Sequence, residues 1–309
     1  MAIENNGNYG MSNKEPKMIF VLGTGRSGST TISHLLSSFS GVEISHELVP
    51  VLNEEVVAYL TGYFSEKQMI ELLRITRNPA RFGRCNYCGE SNQRLSFLIE
   101  PLSKAFPDAF FLWLIRDGRD AVASMDSLAW YHQREIEIRP PDARGWVAGR
   151  IDPKMTKDEP YIGCWDGMTR FGKCCWYWKE TNLHIKRELE RLNLRYEKIQ
   201  LEKLSTDLRP VLAQIGIDVP QEISVPVHNL RSKGSKRKGW RMWSSRERLQ
   251  FTEICGELMD SEYPGWSEEM ALTFSETIKN FGYKLNFISH DIRSRVGAWR
   301  NGTKYISRF

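Results

Sequence analysis

The sequence predicts a three-layer α/β fold, in which a parallel sheet is covered by helices on both faces. Three observations carry this. The runs Lys17–Leu22 (KMIFVL) and Phe110–Ile115 (FFLWLI) are short and continuously apolar, the pattern of strands buried on both faces. Each run ends in a polar, glycine-containing turn followed by a helical pattern. Strand and helix then alternate along the chain, the order that builds crossovers in a parallel sheet.

Taken in order, the first strand leads to a helix over residues 30–39, with Ile32, Leu35, Leu36 and Phe39 on one face. A short strand is expected at 42–44, two helices within 51–76, and another helix over 91–106. The FFLWLI strand is followed by a helix over 117–130. Residues 131–160 hold Pro140, Pro141, Pro153 and Pro160 among many charges and read as a long loop or lid. A strong helix follows at 170–192, a strand at 193–199 and a helix at 201–215. Ser244 and Glu247 form a capping box for a further helix. A last core helix is expected at 266–281. The domain reading is a loose tail at 1–16, one domain at 17–285 with a lid at 131–165 and a basic loop at 224–243, and a basic tail at 286–309.

Composition narrows the function. Of 309 residues, 41% are hydrophobic and 26% charged, which excludes collagen-like and wholly disordered chains. No apolar run reaches the ~18 residues of a membrane span, and the polar N-terminus lacks the apolar core of a signal peptide. Lys plus Arg (43) exceeds Asp plus Glu (38), a mild excess that suits an anionic ligand. Six cysteines in a chain of this length suggest a reducing compartment, and the cytoplasm is expected. Cys85-x-x-Cys88 with Cys174 and Cys175 is poor zinc spacing, so no metal is expected.

The chemistry concentrates in two segments. Gly23-Thr24-Gly25-Arg26-Ser27-Gly28-Ser29-Thr30 joins the first strand to its helix, where backbone N–H groups and the helix dipole favour an anion. It fits a dinucleotide GxGxxG, with Glu43 or Glu47 as the ribose acid, and so an NAD-linked oxidoreductase. It also has GxxxxG spacing, but Ser29 stands where a triphosphate loop has lysine. A cation lies instead inside the loop, as Arg26. The second segment, Arg116-Asp117-Gly118-Arg119-Asp120-Ala121-Val122-Ala123-Ser124, comes directly after the FFLWLI strand. It places a guanidinium fork and a hydroxyl eight residues apart.

The two segments together resemble the sulfotransferases that use 3′-phosphoadenylyl sulfate (PAPS), in a P-loop-like fold. The resemblance is strong in these motifs, looser elsewhere, and nearer to the bacterial and carbohydrate-type branch. It implies that Gly25, Arg26, Ser27, Gly28, Ser29 and Thr30 hold the 5′-phosphosulfate and that Arg116 and Ser124 hold the 3′-phosphate. It also implies that Tyr196 of Arg195-Tyr196-Glu197 lies near adenine and that Arg237, Lys238 and Gly239 wrap the 3′-phosphate. In-line transfer to an acceptor hydroxyl would follow, without a metal, with Arg26 beside the bridging oxygen. Ser45-His46-Glu47 matches the position where such members carry a catalytic Glu. Glu47 is the expected base, with His46 and Glu90 as alternatives. The acceptor is expected to be a glycan or small molecule bearing a hydroxyl, with no nucleic-acid partner. A non-enzymatic nucleic-acid module remains the reading if the cluster between Arg231 and Arg241 is the functional surface. Of the tryptophans, Trp176 and Trp178 read as core and Trp146 as an acceptor contact.

Overall fold

The computed structural model describes residues 15–83, 85–132, 150–225 and 239–271. Five parallel strands, β1 (Lys17–Leu22), β2 (Val42–His46), β3 (Tyr87–Ser91), β4 (Phe110–Ile115) and β5 (Tyr196–Gln200), form one sheet in the order β2-β3-β1-β4-β5. The helices are α1 (Ser29–Ser37), α2 (Asn53–Leu60), α3 (Glu66–Thr76), α4 (Ile99–Ala105), α5 (Gly118–Ser127), α6 (Arg170–Arg191), α7 (Leu204–Gln214) and α8 (Ser245–Glu262). The α/β class with a covered parallel sheet is as the sequence predicts.

Alternating strand positions face two cores. On one side Ile19, Val21, Leu112 and Leu114 meet Ile32, Leu35 and Leu36 of α1 and Leu208, Val211 and Leu212 of α7. On the other, Phe20 packs on Phe106 and Phe111 at ring distances of 5.5 and 5.9 Å, and Trp113 Nε1 donates to Asn182 Oδ1 of α6 at 3.0 Å. Every residue of β4 is buried. Full burial of each large apolar side chain is worth about 1.5–3 kcal/mol, so this strand is a main anchor of the sheet. Trp176 and Trp178 are core, as expected, each with no exposed surface.

Two differences matter. β3 was not expected, and the helix predicted from residue 91 is instead the end of this strand, a 3-10 turn at Gln93–Phe97 and α4. Its sequence, YCGES, holds Glu90 and Ser91 fully buried, so no apolar pattern marks it. In the segment read as a lid, Pro153–Thr156 and Glu159–Ile162 are single helical turns, while residues 133–149, including Trp146, lie outside the described residues. So do the tails at 1–14 and 286–309, Arg237 and Lys238.

The chain groups into two units, residues 1–258 and 259–309, a boundary inside the 17–285 segment. In the second, the backbone turns at Gly265 (φ 86°), and Trp266 Nε1 donates to Asp260 Oδ1 at 2.7 Å. The Ser244–Glu247 capping box forms as predicted, with Ser244 N–H and hydroxyl both donating to Glu247 Oε2.

Candidate functional site

The site lies at the C-terminal ends of β1, β3 and β4, where connections leave the sheet in opposite directions and open a crevice. Between β1 and α1 the loop folds on itself: Ser27 N–H and hydroxyl both donate to the Thr24 carbonyl, at 3.2 and 2.7 Å. Gly28 caps α1 in the left-handed region (φ 98°) and supplies no side-chain bond to the helix start. A Cβ there would push on a Leu201 methyl at 2.5 Å, and the left-handed conformation is what favours glycine. Gly25 is pressed between Gln93 and the Trp130 ring, and its N–H donates to the Tyr177 hydroxyl, which itself donates to Gln93 Oε1 at 3.0 Å. Arg26 also takes a left-handed φ of 69°, a strained choice for a side-chain-bearing residue.

That conformation aims Arg26 at the second motif. Its Nε donates to Ser124 Oγ at 3.0 Å, and Arg116 Nη1 donates to the Arg26 carbonyl at 2.9 Å. Two guanidinium groups and a hydroxyl thus meet beside the start of α1. Hydrogen bonds and close packing support this meeting. Trp178 Nε1 donates to the Arg116 carbonyl at 3.0 Å, and Gly118 lies flat on the same indole. Asp117 caps α5, receiving Arg119 N–H at 2.8 Å, while its own N–H donates to Glu202 Oε1 at 3.0 Å. Arg119 and Arg241 lie over Trp240, 4.5 and 4.4 Å from its ring centre. Gly239 is exposed and leads into this turn.

The other wall is the end of β2. His46 Nδ1 faces the Ser91 carbonyl at 3.1 Å. A carbonyl only accepts, so Nδ1 carries the proton, and Nε2 of the neutral ring accepts from the Thr30 hydroxyl at 3.0 Å. Burial lowers the proton affinity of this imidazole further. Both ring nitrogens are engaged, which makes His46 a poor base. Glu47 comes next, in the left-handed region (φ 52°), with its N–H on the Ser91 carbonyl. Burial pushes its carboxyl up to about 7, against the opposing pull of Arg94 and Arg150 and with a further push from Glu90. Glu90 is not placed as a base: it has no exposed surface and is locked to Arg77 at 2.7 Å. Glu43, the ribose-acid candidate, spends its carboxylate on Gly83 N–H at 2.7 Å.

The loop from Gly25 to Thr30 therefore sits with Arg116 and Ser124, and Thr30 links it to His46 and the strap bearing Glu47. Tyr196 is not brought there. It opens β5 opposite Phe111, four residues before the Ile115–Gln200 pair at the site end of the sheet. The residues that reach the loop from this strand are Leu201, against Gly28, and Glu202. Several contributors had no sequence signal. Arg94 and Arg150 are 2% and 8% exposed, and Arg150 covers the Trp130 ring at 3.4 Å. Below the loop a small hollow is lined by Thr24, Ser27, Ser29, Ser91 and Gln93. The buried hydroxyls of Thr24 and Ser91 have no hydrogen-bond partner among the described residues. The start of α1 beside the Arg26 and Arg116 guanidinium groups suits an oxyanion. Among the described residues no three His, Cys, Asp or Glu side chains gather as a metal site. No described helix is long and apolar enough to cross a membrane.

Residues 16–149 match the family model described as the sulfotransferase family, and this match bears out the resemblance drawn from the two motifs. Among solved structures, the chain is similar to the sulfotransferase STF9 from Mycobacterium avium (13% identity, 81% of this chain and 78% of that one, TM-score 0.45). It is also similar to the sulfotransferase domain of the Synechococcus PCC 7002 olefin synthase (12%, 81% and 98%, TM-score 0.43). A third is the sulfotransferase domain from the curacin biosynthetic pathway (15%, 85% and 97%, TM-score 0.42). No curated relative matches the chain. The family match supports sulfuryl transfer as the general chemistry.

Proposed function

From the sulfotransferase-family match of residues 16–149, we propose that this protein moves a sulfuryl group from PAPS to an acceptor hydroxyl on a glycan or small molecule. The observation that carries the reading is the meeting of Arg26, Arg116 and Ser124 beside the start of α1. PAPS supplies a sulfuryl group already attached to a good phosphate leaving group. Ser27, Gly28, Ser29 and Thr30 bind its 5′ end through the loop and helix start, and Arg116 and Ser124 bind the 3′-phosphate. Arg26 spans the two, balancing the negative charge that develops on departure. Glu47 takes the acceptor proton: a carboxyl poised at about 7 is half ionised at neutral pH and holds a proton well once it has it. Transfer then needs alignment and charge balance more than covalent help from the protein.

None of the six cysteines is in a disulfide, which supports a reducing, cytoplasmic setting. The basic cluster from Arg231 to Arg241 is read as part of the donor site, not as a nucleic-acid surface. Calorimetric titration with adenosine 3′,5′-bisphosphate, with NAD and ATP as controls, tests the donor. Selective binding of the bisphosphate is expected. Preference for NAD would return the loop to the dinucleotide reading.

A further inference from the structure

We infer that the buried Arg77–Glu90 pair is a positioning device, which grips one residue of the 47–51 strap at both its N–H and its carbonyl and so fixes Glu47 at the sheet edge. The inference rests on the reading of Glu47 as base.

Glu90 Oε2 accepts from Arg77 Nε at 2.7 Å. Its Oε1 accepts from Arg77 Nη2 at 3.1 Å, from Leu48 N–H at 2.9 Å and from Asn92 Nδ2 at 2.9 Å. The same Nη2 donates to the Leu48 carbonyl at 3.1 Å. Leu48 is thus held at its N–H by the acid and at its carbonyl by the base. Two further donors fasten the rest of the strap: Arg81 Nη2 to the Val49 carbonyl at 2.9 Å and Asn92 Nδ2 to the Val51 carbonyl at 3.3 Å.

Stability alone does not account for this arrangement. Both side chains are 0% exposed. Taking two charges out of water is costly, and apolar replacements of such pairs are often as stable. Arg77 Nη1 is buried with no hydrogen-bond partner among the described residues. The guanidinium is therefore oriented toward the strap and not for its own full satisfaction. Strain in the strap gives the reason. Glu47 (φ 52°) and Leu52 (φ 61°) bracket it in the left-handed region, which persists only where surrounding contacts over-determine it.

The grip also bears on the proton. The charged groups facing the Glu47 carboxyl are Glu90 from β3, Arg94 from the turn after β3, and Arg150. Its neighbour His46 is turned to Thr30 and Ser91. Releasing the strap admits water to the carboxyl, and removing Glu90 deletes a negative charge. Both changes favour ionised Glu47.

The test is Arg77→Met/Glu90→Leu in the full chain, read by 13C NMR titration of the Glu47 carboxyl, by turnover and by affinity for adenosine 3′,5′-bisphosphate. The expected result is a folded protein whose Glu47 titrates lower by about one unit or more. Turnover should fall by about tenfold or more, with bisphosphate affinity within about threefold. An unshifted Glu47 titration overturns the inference, whatever the turnover. A shifted titration with unchanged turnover removes Glu47 as base, and the positioning stands only if Arg77→Lys, which keeps the Glu90 charge, shifts the titration too. Should the double variant not fold, Arg77→Lys keeps both charges of the pair and loses the guanidinium bond to the Leu48 carbonyl. A smaller downward shift is then expected, and no shift overturns the inference.

Discussion

The two walls of the crevice are built by different means. The β1–α1 and β4–α5 wall is made of short contiguous segments, in which backbone turns bring two arginines and a serine together within eight or nine residues of each strand. The β2–β3 wall is assembled from residues far apart in sequence. Its acid owes its raised proton affinity to burial, against the pull of Arg94 and Arg150 and with a push from Glu90, none of them its neighbours. A site for a fixed anionic group can be written into a local motif, because N–H groups and guanidinium forks carry their own geometry. A carboxyl tuned for proton transfer cannot, because its tuning is a property of its surroundings.

That division is broken most sharply by Glu47→Gln. Turnover should fall by about 10²–10⁴-fold, with adenosine 3′,5′-bisphosphate affinity within about twofold; near-normal turnover in a steady-state assay would strip Glu47 of its role. Arg116→Ala is the converse. Losing a charge-assisted phosphate contact of about 2–3 kcal/mol should weaken bisphosphate binding by about 30–150-fold by calorimetry. The Glu47 titration should stay where it was, so a moved titration would mean that the two walls are not separable.

The pH dependence sharpens the comparison. In the wild type, kcat should drop about tenfold per pH unit below about 7 as Glu47 takes its proton. The same shift acts on stability. The folded state holds this proton more tightly than the unfolded chain does, so its contribution is complete below about pH 4.5 and is lost as pH rises through about 7. Allowing for partial solvent screening, Glu47→Gln should be more stable than wild type by about 1–2 kcal/mol at pH 8 and equal to it near pH 4. Denaturant midpoints at the two pH values check this, and a variant less stable at pH 8 would contradict the buried-carboxyl account. The smallest effect is expected from Tyr196→Phe, at the far end of β5. Bisphosphate affinity should stay within about twofold, and a loss beyond tenfold would mean that the binding crevice extends around the sheet.

Legibility divided along the same line. β1, β4 and the loops after them were readable because an all-apolar run ending in glycine or Arg-Asp-Gly has few other structural meanings. Tyr196 misled because a three-residue likeness carries no register: the strand continues to Gln200, and Leu201 and Glu202 reach the site. β3 was illegible for the opposite reason. Its buried positions are Cys88, Gly89, Glu90 and Ser91, whose burial is made tolerable by Arg77 on another element. Arg94 and Arg150 carry no sequence signal that sets them apart from other charges, because their burial comes from tertiary packing.

The place of β3, between β1 and β2 in space though after both in sequence, has a consequence for how the chain folds. β1, α1 and β2 are consecutive, but β1 and β2 cannot pair with each other; each waits for a strand some 40 to 70 residues further along. Glu90 must meet Arg77 before it can leave water, so docking of α3 and insertion of β3 are one event. The crevice is therefore among the late features to form, and a growing chain that stops short of residue 91 holds the phosphate loop with no opposite wall and two unpaired strand edges.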